Sequence, residues 1–331
     1  MAVLILIVGL LSQLVAHTSS SVVRSTKGMD NIQLATLALD RVGNSITGMV
    51  TSGTGTLVAY KNSNGSDGLA MLTNTRVRSR ARGSGANTND SNIYVGSFTD
   101  IRMGTRGFCV IDTADPDLPT SPSIPMLNWG DGTVVWSTTN NAPTVQGDPT
   151  TALSKAAQDV VSPPSGGASG TMLDFSPLSR SIFRFELAFS LSDGTMVNGL
   201  SGSPPPRNKY FIANGAFTNA PVSFPAGTYP LAFSAETSDT TNASGQSVYV
   251  RAVVVGIVSL DATTQKLLSG AQLKQLASND TFPKAASGQT PAQTWDITNQ
   301  NGTVYTKIAP PNYPAPVLQN IRVTQRYYYV N

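Results

Sequence analysis

The sequence is poor in the side chains that most catalytic and metal sites use. It has one cysteine, Cys109, and one histidine, His17, among 331 residues. An intramolecular disulfide is therefore impossible, and a cysteine-rich metal site is excluded. The single histidine lies at the edge of an apolar segment and argues against histidine-based catalysis and histidine metal clusters. Only 12% of the residues are charged. The net charge of +3 comes from 22 basic and 19 acidic residues, a balance that is not typical of nucleic-acid-binding proteins.

Glutamate is almost absent. Glu186 and Glu236 stand against 17 aspartates, and the chain has 29 glycines and 21 prolines. Glutamate favours helices, whereas aspartate, glycine and proline favour turns and caps. With 40% apolar residues the chain can still bury a large core. The composition therefore favours a β-rich protein with many turns and argues against an all-helical or coiled-coil one.

Enzyme signatures are absent from the sequence too. It contains no GxSxG, P-loop or HExxH motif. A two-carboxylate hydrolase would need Glu186 or Glu236 together with an aspartate. Glu186, however, lies two residues from Arg184 on the same face of a predicted strand, where an ion pair is the simpler role. We predict that the protein is not an enzyme and has no cofactor.

The N-terminal segment is the one long apolar run. Residues 1–15 contain only two polar side chains, Ser12 and Gln13, and no basic residue precedes Arg24. Three interpretations stand open: a signal peptide, which lacks its basic region; a core helix, although the segment is apolar on every face; and a membrane or bundle helix. A helix of 15 residues spans about 22 Å, short of a bilayer core of about 30 Å.

An amphipathic helix is predicted to continue from this run. Val22, Met29, Leu37, Val42 and Ile46 recur at seven- to eight-residue intervals, which indicates one helical stripe. We therefore divide the chain into a helix over 1–46, with a membrane or filament-core half over 1–16 and an amphipathic half over 17–46, and a globular head over 47–331.

The head has the pattern of an α+β fold. Short β-like runs alternate with turn clusters, and the run over 181–192 ends at Asp193-Gly194, which is typical of a hairpin. Further strands are predicted at 56–60, 69–73, 92–96, 107–112, 134–138, 195–197, 248–260 and 321–330, and the strand at 134–138 follows a predicted turn at Gly130-Asp131-Gly132. Helices are predicted at 151–160 and 262–278, and linkers at 163–170, 201–207 and 309–316. The fold class is thus a long hydrophobic-then-amphipathic helix packed on a β-rich, mostly antiparallel head.

These features resemble those of type IV pilin-like proteins. LDRVGNSITG at 39–48 and FRFELAFSLSDGTMV at 183–197 resemble the J type of minor pseudopilin of type II secretion. The segments at 250–277 and 321–330 resemble the Verru_Chthon cassette protein C family. The resemblance covers most of the chain and implies a structural subunit of an extracellular filament, at the inner membrane before assembly, with a prepilin peptidase and assembly machinery as partners.

The resemblance also assigns self-assembly to the N-terminal helix. Pilin-like proteins carry a leader, a cleavage site and a glutamate five residues into the mature chain. None of these is seen here. We therefore expect that residues are missing before Met1 or that the helix inserts without that glutamate. The alternative function is a membrane-anchored or secreted surface-binding module. The sequence leaves open whether the subunit is major or minor. The residues assigned to self-assembly are Val3, Leu4, Ile5, Leu6, Ile7, Val8, Leu10, Leu11, Leu14 and Val15.

An arginine series offers a candidate contact surface. Arg76, Arg78, Arg80 and Arg82 would share one face of a strand and could bind an anionic partner or a neighbouring subunit, although a solvated loop is the simpler interpretation. Residues 76–107 hold six arginines and two aspartates, whereas residues 108–180 hold seven aspartates and two basic residues. We expect these regions to attract each other between subunits.

Three smaller features complete the candidates. Asp112, Asp115 and Asp117 could supply oxygen ligands to calcium, although an Asp/Pro turn is the simpler interpretation. Tyr327 to Tyr329 predict either an aromatic contact patch or, more simply, a strand packed on both faces. Glycosylation sequons, which also arise by chance in a chain rich in serine and threonine, occur at Asn64, Asn89, Asn242, Asn279 and Asn301.

Overall fold

The fold combines helices with antiparallel sheets, so the predicted α+β class is confirmed. The computed structural model describes residues 2–49, 57–62, 65–73, 104–113, 123–133, 136–139, 142–145, 149–163, 173–198, 228–231, 250–286 and 288–330. The helices are α1 (Ala2–Thr47), α2 (Pro149–Val161), α3 (Ala262–Gln265), α4 (Gly270–Ala277), α5 (Pro291–Thr294), α6 (Thr303–Ile308) and α7 (Ala315–Asn320).

The strands of the described residues form three sheets. They are β1 (Leu57–Tyr60), β2 (Gly68–Thr73), β3 (Gly104–Thr113), β4 (Ile124–Thr133), β5 (Trp136–Thr139), β6 (Ala142–Val145), β7 (Asp174–Ser179), β8 (Ile182–Leu191), β9 (Met196–Val197), β10 (Thr228–Leu231), β11 (Val250–Ser259) and β12 (Arg322–Tyr329). A six-stranded sheet has the order β10-β1-β2-β3-β4-β7, a four-stranded sheet has the order β12-β11-β8-β9, and β5 pairs with β6.

Three apolar clusters lie on the faces of the two large sheets. The main cluster joins α1 to side chains of β1 to β4, β8 and β11, so it fills the space between the two sheets. A second cluster packs the C-terminal helices on the four-stranded sheet around Trp295. A third packs α2 on the outer face of the six-stranded sheet. Alternate residues of each strand thus point into different clusters, as the pleat requires.

The hairpin that the sequence predicted after β8 is confirmed. β8 pairs with β9, and Gly194 takes a φ of 85° that favours glycine. Asp193 accepts hydrogen bonds from the amide and the hydroxyl of Thr195, and these bonds lower the pKa of the Asp193 carboxyl. The Asp-Gly pair in the sequence therefore predicted this turn correctly.

The predicted turn at Gly130-Asp131-Gly132 is wrong, because these residues lie inside β4. Gly130 pairs with Gly107 of β3. A Cβ atom at Gly107 would lie 2.5 Å from Leu173 Cδ1, and one at Gly130 would lie 2.9 Å from Leu173 Cβ. The two glycines thus make room for close packing on the sheet, a role that glycine also has within strands.

Several further elements differ from the sequence expectation. The predicted linker over 309–316 contains the start of α7, and α5, α6, β4 and β7 were not predicted. The helix predicted at 262–278 is divided into α3 and α4. Ser269 begins α4 with a capping box that also uses Gln272, so the division has a local cause. The strand predicted at 92–96 lies outside the described residues, and so do residues 134–135 of the strand predicted at 134–138.

Gly43 allows α1 to lie close to β12. A Cβ atom at this position would lie 2.2 Å from Cε1 of Tyr328, whose hydroxyl donates to the carbonyl of Leu39 at 2.5 Å. The Tyr328 ring therefore packs directly on the backbone of α1 at Gly43, where a side chain would clash with it.

We expect Gly43→Val to lower the free energy of unfolding by about 1–3 kcal/mol, the usual range for overpacking. The matched control is Asn44→Val at the neighbouring exposed position, which should change stability much less. Urea unfolding of both variants checks this. Equal effects of the two substitutions would contradict the packing role of Gly43.

Candidate functional site

One face of the C-terminal part of α1 is buried against the head. Its buried side chains are Ala35, Ala38, Leu39, Val42 and Ile46, and each of them has another member of the set three or four residues away. The predicted stripe is therefore wrong in two members, because Met29 and Leu37 are 58% and 63% exposed. The sequence interpretation counted large apolar residues and left out Ala35 and Ala38, which let the helix approach the sheets closely.

Other positions of α1 carry exposed apolar residues. Leu11, Leu14 and Val15 are 55–65% exposed, Met29 is 58% exposed and Ile32 is 48% exposed. Eighteen residues make five helical turns, so Leu11 lies in line with Met29, and Leu14 with Ile32. We call these five residues the α1 stripe. The side chains of Val3, Leu4, Ile5, Leu6, Ile7, Val8 and Leu10, which the sequence also assigned to self-assembly, lie outside the described part.

Within the part of the chain that the structure describes, the helices are all too short or too polar to cross a membrane.

A cationic and aromatic cluster joins α1 to the six-stranded sheet. The guanidinium of Arg41 lies 3.9 Å from the ring centre of Trp129, and that of Arg106 lies 5.6 Å from it. Arg106 also donates to the hydroxyl of Ser45 and pairs with Asp131 at 3.5 Å. Burial lowers the pKa of Arg106 and raises that of Asp131. This cluster fixes the rotation of α1 about its axis, because Arg41 and Ser45 are one turn apart.

A second group of charged side chains is largely buried where the start of β2, β8 and the C-terminal segment meet. We call Lys61, Asp67, Arg184, Glu186 and Lys284 the Asp67 cluster. Asp67 is 1% exposed, and its Oδ2 accepts hydrogen bonds from Lys61 Nζ at 2.5 Å and from the amide of Leu187 at 2.9 Å. Lys284 Nζ forms an ion pair with Oδ1 of the same carboxylate.

The ion pair expected between Arg184 and Glu186 is confirmed, with 3.4 Å between Nη2 and Oε2. Both side chains are fully buried. Arg184 also donates to the carbonyl of Ala277 at 3.0 Å and to the Asn279 side chain, and Glu186 accepts from the amide of Ala285 at 2.8 Å. These contacts bind the C-terminal segment to β8.

Burial and neighbouring charges shift the pKa values of this cluster in different directions. Burial lowers the pKa of Arg184 and raises that of Glu186, so the loss of hydration outweighs the attraction between them. For Asp67 the balance is reversed: burial alone would raise its pKa, but Lys61 and Lys284 together lower it. The sequence interpretation missed Lys61, Asp67 and Lys284, because Asp67 and Lys284 are 217 positions apart.

The C-terminal tyrosines differ from the simpler expectation of a strand packed on both faces. Tyr328 packs against the main core, whereas Tyr327 and Tyr329 are 43% and 57% exposed. Arg251 lies 5.7 Å from the ring of Tyr329. Tyr327 and Tyr329 therefore share an exposed face of β12, as alternation along a strand requires.

The other predicted sites are only partly described. Arg76, Arg78, Arg80 and Arg82 lie outside the described residues, as do Asp115, Asp117, Asn64, Asn89 and Asn242. Asp112 forms an exposed ion pair with Lys274 at 2.7 Å, and Arg106 pairs with Asp131, so part of the charge expected between subunits is used within the chain. Asn279 is half-buried against Arg184, and Asn301 is exposed. Among the described residues, no three His, Cys, Asp or Glu side chains form a metal site.

No protein-family model matches the chain, and no curated protein matches it significantly. Among solved structures, it is similar to a type IV-like pilin from Thermus thermophilus at 11% identity, with 90% of this chain and 95% of that chain covered. The TM-score is 0.30, which is too low to establish a common fold.

Substitutions of Arg184 and Glu186 test how much the buried ion pair contributes to the stability of the fold. We expect Arg184→Met or Glu186→Leu alone to cost about 3–5 kcal/mol, because each leaves a buried charge without its ionic partner. The double variant should lose clearly less than the sum of the two. Urea unfolding checks this.

The control is Arg326→Met, which breaks an exposed pair with Asp40 and should cost about 1 kcal/mol or less. Strictly additive losses for Arg184 and Glu186 would show that the two side chains do not depend on each other.

Proposed function

We propose that this chain is a structural subunit of an extracellular type IV pilus-like or pseudopilus filament and that it assembles through its N-terminal helix. The observation that carries the proposal is the α1 stripe. Leu11, Leu14 and Val15 precede the part of α1 that packs on the head, and all three are mostly exposed. An exposed apolar strip on a long helix is stabilised when a second apolar surface covers it.

The attachment of the helix to the head supports the same role. α1 is held by the Arg41–Trp129 stacking contact, by the hydrogen bond from Tyr328, and by the ion pair between Asp40 and Arg326. Because α1 is fixed on the head, packing of the N-terminal part of α1 among the same helices of other subunits would place each head in a defined position. Repeated contacts of this kind between different surfaces generate an open helical polymer.

Full burial of one leucine contributes about 1.5–3 kcal/mol, so a few such side chains per subunit supply a substantial part of an assembly energy. The sequence resemblance to pilin-like and J-type pseudopilin proteins favours a filament over a simple surface-binding module. We propose no catalytic role for the chain.

We expect the purified full chain to form large assemblies as its concentration rises, and Leu11→Asp to prevent this because a carboxylate would have to be buried in the contact. Leu267→Asp is a matched control, since Leu267 and Leu11 are both 55% exposed and Leu267 lies on the head. Sedimentation velocity and negative-stain electron microscopy measure the outcome.

A wild-type chain that stays monomeric at all concentrations would contradict the proposal, and so would assembly of Leu11→Asp equal to that of Leu267→Asp. In the first case the surface-binding alternative would be preferred.

A further inference from the structure

The carboxyl group of Asp67 is held between two lysine ammonium groups in a buried site. The Asp67 side chain is 0% exposed, and those of Lys61 and Lys284 are 12% and 26% exposed. Lys284 Nζ contacts Oδ1, while Lys61 Nζ and the Leu187 amide both donate to Oδ2. The two oxygens therefore have different surroundings: Oδ2 is fixed by two donors, whereas Oδ1 faces the amine of Lys284.

We propose that Lys284 and Asp67 form an intramolecular amide bond, an isopeptide cross-link between Nζ and Cγ. The inference concerns this side-chain cluster alone and does not depend on the proposed filament.

The atoms of the reaction balance without another reactant. Lys284 begins with three protons on Nζ, and Asp67 begins as a carboxylate. One proton moves from Nζ to Oδ1, and the freed electron pair of Nζ attacks Cγ and forms the C–N bond. A second proton from Nζ reaches Oδ1, the Cγ–Oδ1 bond breaks, and Oδ1 leaves as water. Nζ keeps one proton as the amide N–H, and Oδ2 becomes the carbonyl oxygen.

The surroundings of Oδ2 favour the attack. Negative charge develops on this oxygen when Nζ adds to Cγ, and two donors already point at it, the amide of Leu187 and the ammonium of Lys61. Donors placed before the reaction stabilise such an oxyanion without further reorganisation. The backbone amide belongs to β8, so its position is set by the pairing of β8 with β11.

Burial favours the product. In water, amides hydrolyse because water is abundant. A buried carboxylate and amine are protected from water. They are also held in contact, so no collision between free groups is needed. A buried ion pair also carries a desolvation penalty of several kcal/mol for each ion, and the neutral amide does not. Burial lowers the pKa of Lys284, which makes the neutral, nucleophilic amine more accessible.

Lys284 rather than Lys61 is the nucleophile on geometric grounds. Lys61 Nζ donates to the carbonyl of Leu187 at 2.6 Å as well as to Asp67, so its protons are engaged. Lys284 is also the more exposed of the two side chains, at 26%, which gives the released water a route to solvent.

Mass spectrometry of the full chain tests the cross-link. The intact wild-type protein should weigh about 18 Da less than its sequence, the mass of one water. Trypsin cannot cleave after an acylated lysine, so the digest should contain a branched peptide in which residues 62–76 are joined to residues 275–307. Tandem spectra would place the bond at Asp67 and Lys284.

Two variants separate the lysines. Lys284→Arg keeps the positive charge but should restore the full sequence mass, whereas Lys274→Arg, at an exposed lysine that pairs with Asp112 outside the cluster, should keep the loss of one water. If Lys284→Arg fails to fold, the wild-type measurement still decides. A wild-type chain of full sequence mass that yields linear peptides ending at Lys284 would overturn the proposal, and so would a branched peptide that joins Asp67 to Lys61.

Discussion

The junction between the two large sheets depends on one buried carboxylate. Asp67 lies where the chain enters β2 of the six-stranded sheet, yet its hydrogen bonds go to β8 of the four-stranded sheet. Its amide donates to the carbonyl of Phe185 at 2.8 Å, and its side chain accepts from the amide of Leu187. Without compensation this carboxylate would carry a large desolvation penalty. Lys61 and Lys284 supply that compensation, so the two sheets and the segment before α5 are held together at a single point.

The main core is built around this junction. β8 directs Phe185, Leu187 and Phe189 into the space between the sheets and directs Arg184 and Glu186 to the opposite face, under the C-terminal helices. One strand therefore contributes to an apolar core on one side and to a charged network on the other. Trp295 covers that network, with the Arg184 guanidinium 5.8 Å from its ring centre. The ends of α4 and α5 thus shield buried charge from water, and α4 to α7 bury apolar surface as well.

Sequence patterns predicted the features whose causes are local. The β8–β9 turn follows from Asp193-Gly194, and the Arg184–Glu186 pair follows from two residues on one face of a strand. The turn predicted at Gly130 and Asp131 was wrong because the sequence does not distinguish a glycine that makes room for Leu173 from a glycine in a turn. Ala35 and Ala38 were overlooked because small residues carry little weight in a periodic pattern, although close helix–sheet packing requires them. Asp67 and Lys284 were beyond any local pattern, since only the folded chain brings them together.

The two attachments of α1 explain how the helix and the head form one unit. Arg41 and Ser45 contact the six-stranded sheet through Trp129 and Arg106, whereas Leu39, Asp40 and Gly43 contact β12 of the four-stranded sheet. A force along the helix would therefore be shared between both sheets rather than peeling one strand from an edge. Sharing of this kind is effective only if the sheets do not separate from each other. The Asp67 cluster provides that connection, because it links the start of β2 to β8 and to Lys284 of the C-terminal region.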